Sequence, residues 1–340
     1  MAWQIPVMDL LEISKESETE GISMSDIQHL LSIDDLEDDL RSILEWAIHF
    51  KQDPETDYDF KPLDELSIGC IYEKPSTRTR VSFEVGIHKL GGQALTLLKG
   101  DIQLGKSESI ADTAAVLSRF LDGITYRCYG HDKVKTLSEN STVPVINALS
   151  DKHHPCQAAA DLMTIMERNP TLEGERVAWV GDGNNVLHDL MLACAILGVD
   201  CIWAVPAGHG PADDVVKRAS EIAKRTGAAM IETNDPVEAC KDATIIYTDV
   251  FLSMGEEHLS DKLAAFDGFQ VNEELVSHAN DDYGFMHCLP AHRGEEVTAG
   301  VIDSSNSIVF DQAENRMWAQ MAILTYLCNL AAFHAYDELY

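Results

Sequence analysis

The chain has 340 residues, with 25 lysines and arginines against 57 aspartates and glutamates, a formal charge of −32. That balance repels nucleic acid and anionic membrane, and no apolar run of about 18 residues offers a membrane span. Hydrophobic residues at 45% and charged residues at 24% exclude wholesale disorder, and the length suits two domains of about 150 residues each.

Met1 to Ile13 has no basic stretch ahead of its apolar residues, which argues against a secretory or transit leader and for a cytoplasmic protein. Residues 1–27 read as an extension. From Asp9 to Glu65 there are 18 acidic residues and 4 basic ones. Ser32 stands where it can cap a helix whose Leu36, Leu40, Ile43, Leu44 and Ala47 recur at helical spacing. Leu66–Tyr72 reads as a strand, followed by a helix from about Thr77 to Leu90 that Gly91-Gly92 ends. Ala94–Leu98, Gly123–Cys128 and Val143–Asn147 read as strands, with a helix over Ser109–Phe120.

A second run opens near residue 155. Ala158–Glu167 reads as a helix bridging two domains. Arg176–Gly181, Cys201–Val205 and Ala228–Glu232 read as strands, separated by helices over Val186–Leu197 and Asp213–Thr226. Ala243–Thr248, Phe285–His287 and Ile308–Phe310 are expected as further strands, and Glu314–Ala335 as one long apolar helix. Strands alternating with helices imply an α/β protein with mainly parallel sheets. The expectation is two domains, 1–155 and 156–313, each a parallel sheet flanked by helices, with a cleft between them and residues 314–340 packing back on the first.

None of the eight cysteines lies within three residues of another, so there is neither a CxxC pair nor zinc spacing. They read as buried apolar residues in a reducing cytosol, and no metal is expected. The acid surplus reads either as a solvated surface or as adaptation to high salt. Lysine, 14 against 11 arginines, is not depleted as the salt reading prefers.

Ligands in such sheets sit beyond the carboxyl ends of strands, so the strand-to-helix junctions carry the functional reading. Ser76-Thr77-Arg78-Thr79-Arg80 opens a helix with three hydroxyls and two guanidiniums, a composition suited to phosphate. A capped helix with exposed arginines is the plainer reading. His154-Pro155-Cys156-Gln157 follows a strand and can turn His154 and Gln157 toward one ligand. Gly181-Asp182-Gly183-Asn184-Asn185 is no dinucleotide fingerprint, because Val186 replaces the third glycine and no ribose-binding acid ends the next strand. Its asparagines suit a polar small molecule. Asp249, before Phe251-Leu252-Ser253-Met254-Gly255, can hold an ammonium group. Cys288, in His287-Cys288-Leu289-Pro290, invites a nucleophile reading, but no His and Asn order supports a thiol hydrolase. Arg316 opens the last helix as either a ligand cation or a salt-bridge residue.

Together these motifs resemble the carbamoyltransferase family, and its ornithine branch in particular, from about Leu30 to Leu330. Ser-Thr-Arg-Thr-Arg and His-Pro-x-Gln mark the superfamily; Ser253-Met254-Gly255 and His287-Cys288-Leu289-Pro290 mark the branch. The resemblance implies carbamoyl phosphate and L-ornithine as substrates, no cofactor, no covalent intermediate and a trimer or a multiple of it. By position, Ser76, Thr77, Arg78 and Thr79 would hold the phosphate. Arg127, His154 and Thr79 would face the carbonyl oxygen. Gln157, the backbone of Cys288 and Leu289, and Arg316 would orient the carbamoyl amide. Gln103 would reach a neighbouring subunit's site. Asn185, Asp249, Ser253 and Met254 would bind ornithine, with Asp249 and Cys288 as candidates to take the amine's proton. Arg78, Arg127, His154, Asp249 and Cys288 are the residues expected to carry catalysis. The longer extension and Phe251-Leu252, where Trp-Val is common, are the departures from the family pattern. Enzymes that carbamoylate putrescine or N-acetylornithine, and a catalytically dead scaffold of this fold, are the rival readings. The direction of use, synthesis or breakdown of arginine, is not written in these motifs.

Overall fold

The computed structural model describes residues 27–52, 60–105, 107–252 and 260–337. It divides into two compact units, one running to Asp151 and resuming at Arg316, the other Lys152–Asn315.

In the first unit a 3-10 turn, Ile33–Leu36, precedes helix α1, Leu40–Gln52. The Asp35 carboxylate accepts the Ser32 amide at 3.0 Å, so the capping residues end up on the turn rather than on the helix. Strands β1 (Ser67–Tyr72), β2 (Gln93–Leu98), β3 (Gly123–Arg127) and β4 (Val145–Leu149) form a parallel sheet in the order β2-β1-β3-β4. Helix α2, Thr77–Lys89, links β1 to β2, and α3, Ile110–Leu117, links β2 to β3. Helix α4, His131–Glu139, was not expected from the sequence: only Val134 and Leu137 give it an apolar side amid charged residues. Leu30 extends the sheet beside β4, donating to Val145 O and accepting from Asn147 N.

The central strands β1 and β3 are almost wholly buried, as a parallel sheet covered on both faces requires; β1 is an apolar run from Ile68 to Tyr72, whereas β3 also buries Thr125 and Arg127. Ile71, Ile124, Tyr126, Val134 and Leu137 belong to one core on this sheet.

The second unit holds a parallel sheet of β5 (Arg176–Val180), β6 (Asp200–Ala204), β7 (Met230–Thr233), β8 (Ile245–Tyr247) and β9 (Gly284–Met286), ordered β7-β6-β5-β8-β9. Helix α5, Pro155–Arg168, lies wholly in this unit, whereas the sequence suggested a bridge. Helices α6 (Asn185–Leu197) and α7 (Asp213–Thr226) end on Gly198 and Gly227, both left-handed. The short α8, Pro236–Cys240, was also unexpected.

The C-terminal region departs from expectation in two places. Ile308–Phe310 is not a strand: Ile308 donates to Phe285 O at 2.9 Å, and helix α11, Val309–Cys328, starts at the next residue. Two four-residue helices, α9 (Glu273–Val276) and α10 (Ala299–Ile302), come before it. The single helix expected over Glu314–Ala335 is broken at Asn329, whose side chain donates to Pro62 O and accepts from Ala332 N, so that α12, Leu330–Asp337, begins anew. Within the first unit Phe333 stacks on Trp46 at 6.1 Å, and Trp318 meets Phe50 edge-on at 6.0 Å.

Candidate active site

In the first unit the site is built where β1 turns into α2. Ser76 is the N-cap, with extended backbone, yet its hydroxyl makes no cap hydrogen bond. The first-turn amides of α2 are therefore open to an anion. Thr77 is exposed, Arg78 half-buried and Thr79 buried. Arg80, the second guanidinium of the motif, turns away onto Glu84 at 2.8 Å as a surface ion pair.

Thr79 gathers the other cations. Arg127 Nη1 donates to its hydroxyl at 3.2 Å, and Arg316 Nη2 donates to the same oxygen at 2.8 Å. Arg127 ends β3, where the register with β4 shifts between Tyr126 and Arg127. Such an irregularity re-aims a side chain. Both arginines are buried, at 8% and 3% exposure.

Lys74, two residues ahead of Ser76, adds a third buried cation. Its ammonium sits 4.4 Å from the centre of the Tyr129 ring. Burial, and after it the Arg127 charge, lowers its proton affinity. The neighbouring acid is already committed. Burial alone would raise Glu73, but Lys133 at 2.9 Å, Tyr126 and the Tyr129 amide outweigh that and hold its carboxyl below the usual range. A chain of charge −32 thus concentrates positive charge at one helix N-terminus. Gln103 is exposed on the loop after β2.

In the second unit the site lies beyond the carboxyl ends of the adjacent strands β5, β8 and β9. Asp249 follows β8 and is buried. Its Oδ2 accepts from Asn184 Nδ2 at 2.9 Å and its Oδ1 lies 3.1 Å from Cys288 Sγ. The asparagine that meets Asp249 is therefore Asn184; its own Oδ1 caps α6 by accepting from Val186 and Leu187 amides. Asn185, the first helical residue, is half-buried beside it. Gly183 is required by crowding and not by a dinucleotide: a Cβ there would stand 2.2 Å from the Gly210 backbone. Ser253 and Met254 lie outside the described residues.

The Cys288 loop is pinned by His287. Its backbone amide donates to Gln312 Oε1, its Nδ1 accepts from Leu289 N, and its Nε2 lies 3.2 Å from Glu296. With both ring nitrogens engaged, His287 adds no free ligand to Asp249 and Cys288. Leu289 is held at φ +58°, a conformation a branched side chain resists and a surrounding network must impose. His154, the N-cap of α5, donates its amide to the buried Asp189. Asp189 also holds His153 at 3.3 Å. Gln157 follows, one turn in and 1% exposed.

Two domain models of one family match this chain. The aspartate/ornithine carbamoyltransferase carbamoyl-P binding domain matches residues 28–167, and the Asp/Orn binding domain of the same family matches residues 173–327. The chain belongs to the aspartate/ornithine carbamoyltransferase family. Within that family it is 52% identical over 288 residues to the anabolic ornithine carbamoyltransferase of Pyrococcus furiosus, covering 84% of this chain and 91% of the relative. It is 50% identical over 296 residues to the catabolic ornithine carbamoyltransferase of Thermoplasma acidophilum, covering 87% and 96%. The solved ornithine carbamoyltransferase of Pyrococcus furiosus superposes with a TM-score of 0.84 at 51% identity, covering 87% of this chain and 96% of that one. No helix among the described residues is long and apolar enough to cross a membrane.

Proposed function

We propose that this carbamoyltransferase joins carbamoyl phosphate to L-ornithine: the δ-amine attacks the carbonyl carbon, a tetrahedral intermediate forms, and phosphate leaves to give L-citrulline. The reading rests above all on Thr79, buried at a helix N-terminus and receiving two buried arginines. Carbamoyl phosphate is a dianion whose carbonyl gains charge during attack. Fixed donors aimed at that charge are the main catalytic device available without metal or covalent chemistry.

In this account the α2 amides, Ser76, Thr77, Arg78 and Thr79 hold the phosphate, and Lys74 adds field. Arg127 and His154 face the carbonyl oxygen. Gln157, the Cys288–Leu289 backbone and Arg316 orient the amide. Asp249, steadied by Asn184 and Cys288, takes the amine end of ornithine, and Asn185, Ser253 and Met254 take the rest. Anabolic and catabolic relatives match at 52% and 50% identity. The same chemistry run in either sense serves arginine metabolism, in the cytoplasm.

We infer a homotrimer or a multiple of it. The first unit exposes Val81, Val85, Leu95, Leu98, Val116 and Phe120, and apolar exposure on this scale suits an interface between copies. Gln103 then serves a neighbouring copy's site. Light scattering should give three times the 37.6 kDa chain mass or a multiple. Arg78→Ala tests the function: turnover should vanish while assembly persists.

A further inference from the structure

Asp161 is a buried acid outside the substrate-contacting set. Asp161, on α5 one turn beyond Gln157, is fully buried in the second unit. Its Oδ1 accepts from Gln157 Nε2 at 2.8 Å and from Gln312 Nε2 at 2.7 Å, and its Oδ2 accepts from the Tyr247 hydroxyl at 3.1 Å. Gln312 also donates to the Tyr247 oxygen at 2.9 Å and accepts the His287 amide, so its own orientation is fixed. An ionised carboxylate only accepts. The Gln157 amide cannot turn over, because its oxygen would then face Asp161 Oδ1. Among the described residues, Gln157 Oε1 is buried and accepts no hydrogen bond.

We propose that Asp161 is a positioning residue: it fixes the Gln157 amide so that Oε1 is presented as an acceptor, and this makes the subsite select the –NH2 of a carbamoyl group over the methyl of an acyl phosphate such as acetyl phosphate. The inference rests on the reading above in which Gln157 meets the carbamoyl amide. A buried acceptor left unmet by a methyl is costly, so the discrimination follows from the orientation. The same carboxylate reaches the Cys288 loop through Gln312 and His287, so the Gln157 side and the Leu289 side of the second unit share one anchor.

The test is a double-mutant cycle of Asp161→Ala and Gln157→Ala, read as KM for carbamoyl phosphate, KM for ornithine and the inhibition constant of acetyl phosphate. Asp161→Ala should raise the carbamoyl phosphate KM about tenfold while moving the acetyl phosphate constant less than about twofold. In a Gln157→Ala background it should add less than about twofold, since it acts through that side chain. Tyr247→Phe disturbs the same network without touching Gln157 and should leave the carbamoyl phosphate KM within about twofold. Asp161→Asn keeps the shape if the alanine variant does not fold, and should show the same selective pattern at about threefold. Additive effects, equal weakening of both phosphates, or an unchanged KM would overturn the role of Asp161. A silent Gln157→Ala would overturn the reading of Gln157 itself, and with it this proposal.

Discussion

Arg316 and Thr79, 237 positions apart in the chain, meet through a 2.8 Å hydrogen bond in which the guanidinium donates to the hydroxyl. Arg127 uses the same oxygen. Thr79 is thus the shared acceptor that keeps two buried cations aimed at one place before any substrate arrives. Thr79→Val keeps the shape and removes the acceptor. The carbamoyl phosphate KM should rise about 10- to 100-fold, with the ornithine KM within about twofold, measured by steady-state kinetics.

Asp249 should matter to the other substrate. It is buried and held by Asn184 and Cys288 in the second unit. Asp249→Asn removes the charge and keeps most of the shape. The value of kcat/KM for ornithine should fall by at least about 100-fold, while carbamoyl phosphate binding by calorimetry stays within about threefold.

His188 links stability to pH. Burial lowers its proton affinity below the ordinary value of 6.5; the Lys152 carbonyl accepting from Nδ1 opposes this less strongly. Its Nε2 accepts the Ala212 amide, which requires the neutral ring. The unfolded chain therefore binds the proton more readily. The contribution is full above about pH 6.5 and is lost as pH falls from there through the lower value of the folded state. Thermal midpoints measured from pH 8 to 5 should decline below about 6.5 in the parent, and the decline should flatten in His188→Asn.

The charge of −32 predicts a salt response. Like charges repel in the folded chain, and salt shortens that repulsion to about 10 Å at 0.1 M and 3 Å at 1 M. The unfolding midpoint should rise steadily from 0.05 to 1 M potassium chloride. A flat response would place the acids in balanced local pairs instead.

The sequence made some layers of this molecule plain and hid others. Apolar runs bounded by glycine and proline mark most of the buried strands, as burial on both faces of a parallel sheet favours. The strand-to-helix motifs mark the candidate residues within each unit. Scarce apolar residues, Val134 and Leu137 alone, hid α4, and a β-branched run at Ile308–Val309 passed for a strand although only its first residue bonds to Phe285. That Asn184 is the asparagine meeting Asp249 depends on which side chain caps the helix, a matter of backbone angle. Lys74 was hidden because its partner ring, Tyr129, is 55 positions away. Gln312 and Asp161 are separated by 151 positions, and no local pattern announces such a pair.

The most direct test of the account is product formation from carbamoyl phosphate with ornithine, putrescine, N-acetylornithine or aspartate offered separately, at low and high salt. The account predicts citrulline from ornithine and negligible turnover of the other three. Preferred turnover of another amine, or no turnover at any salt, would contradict it.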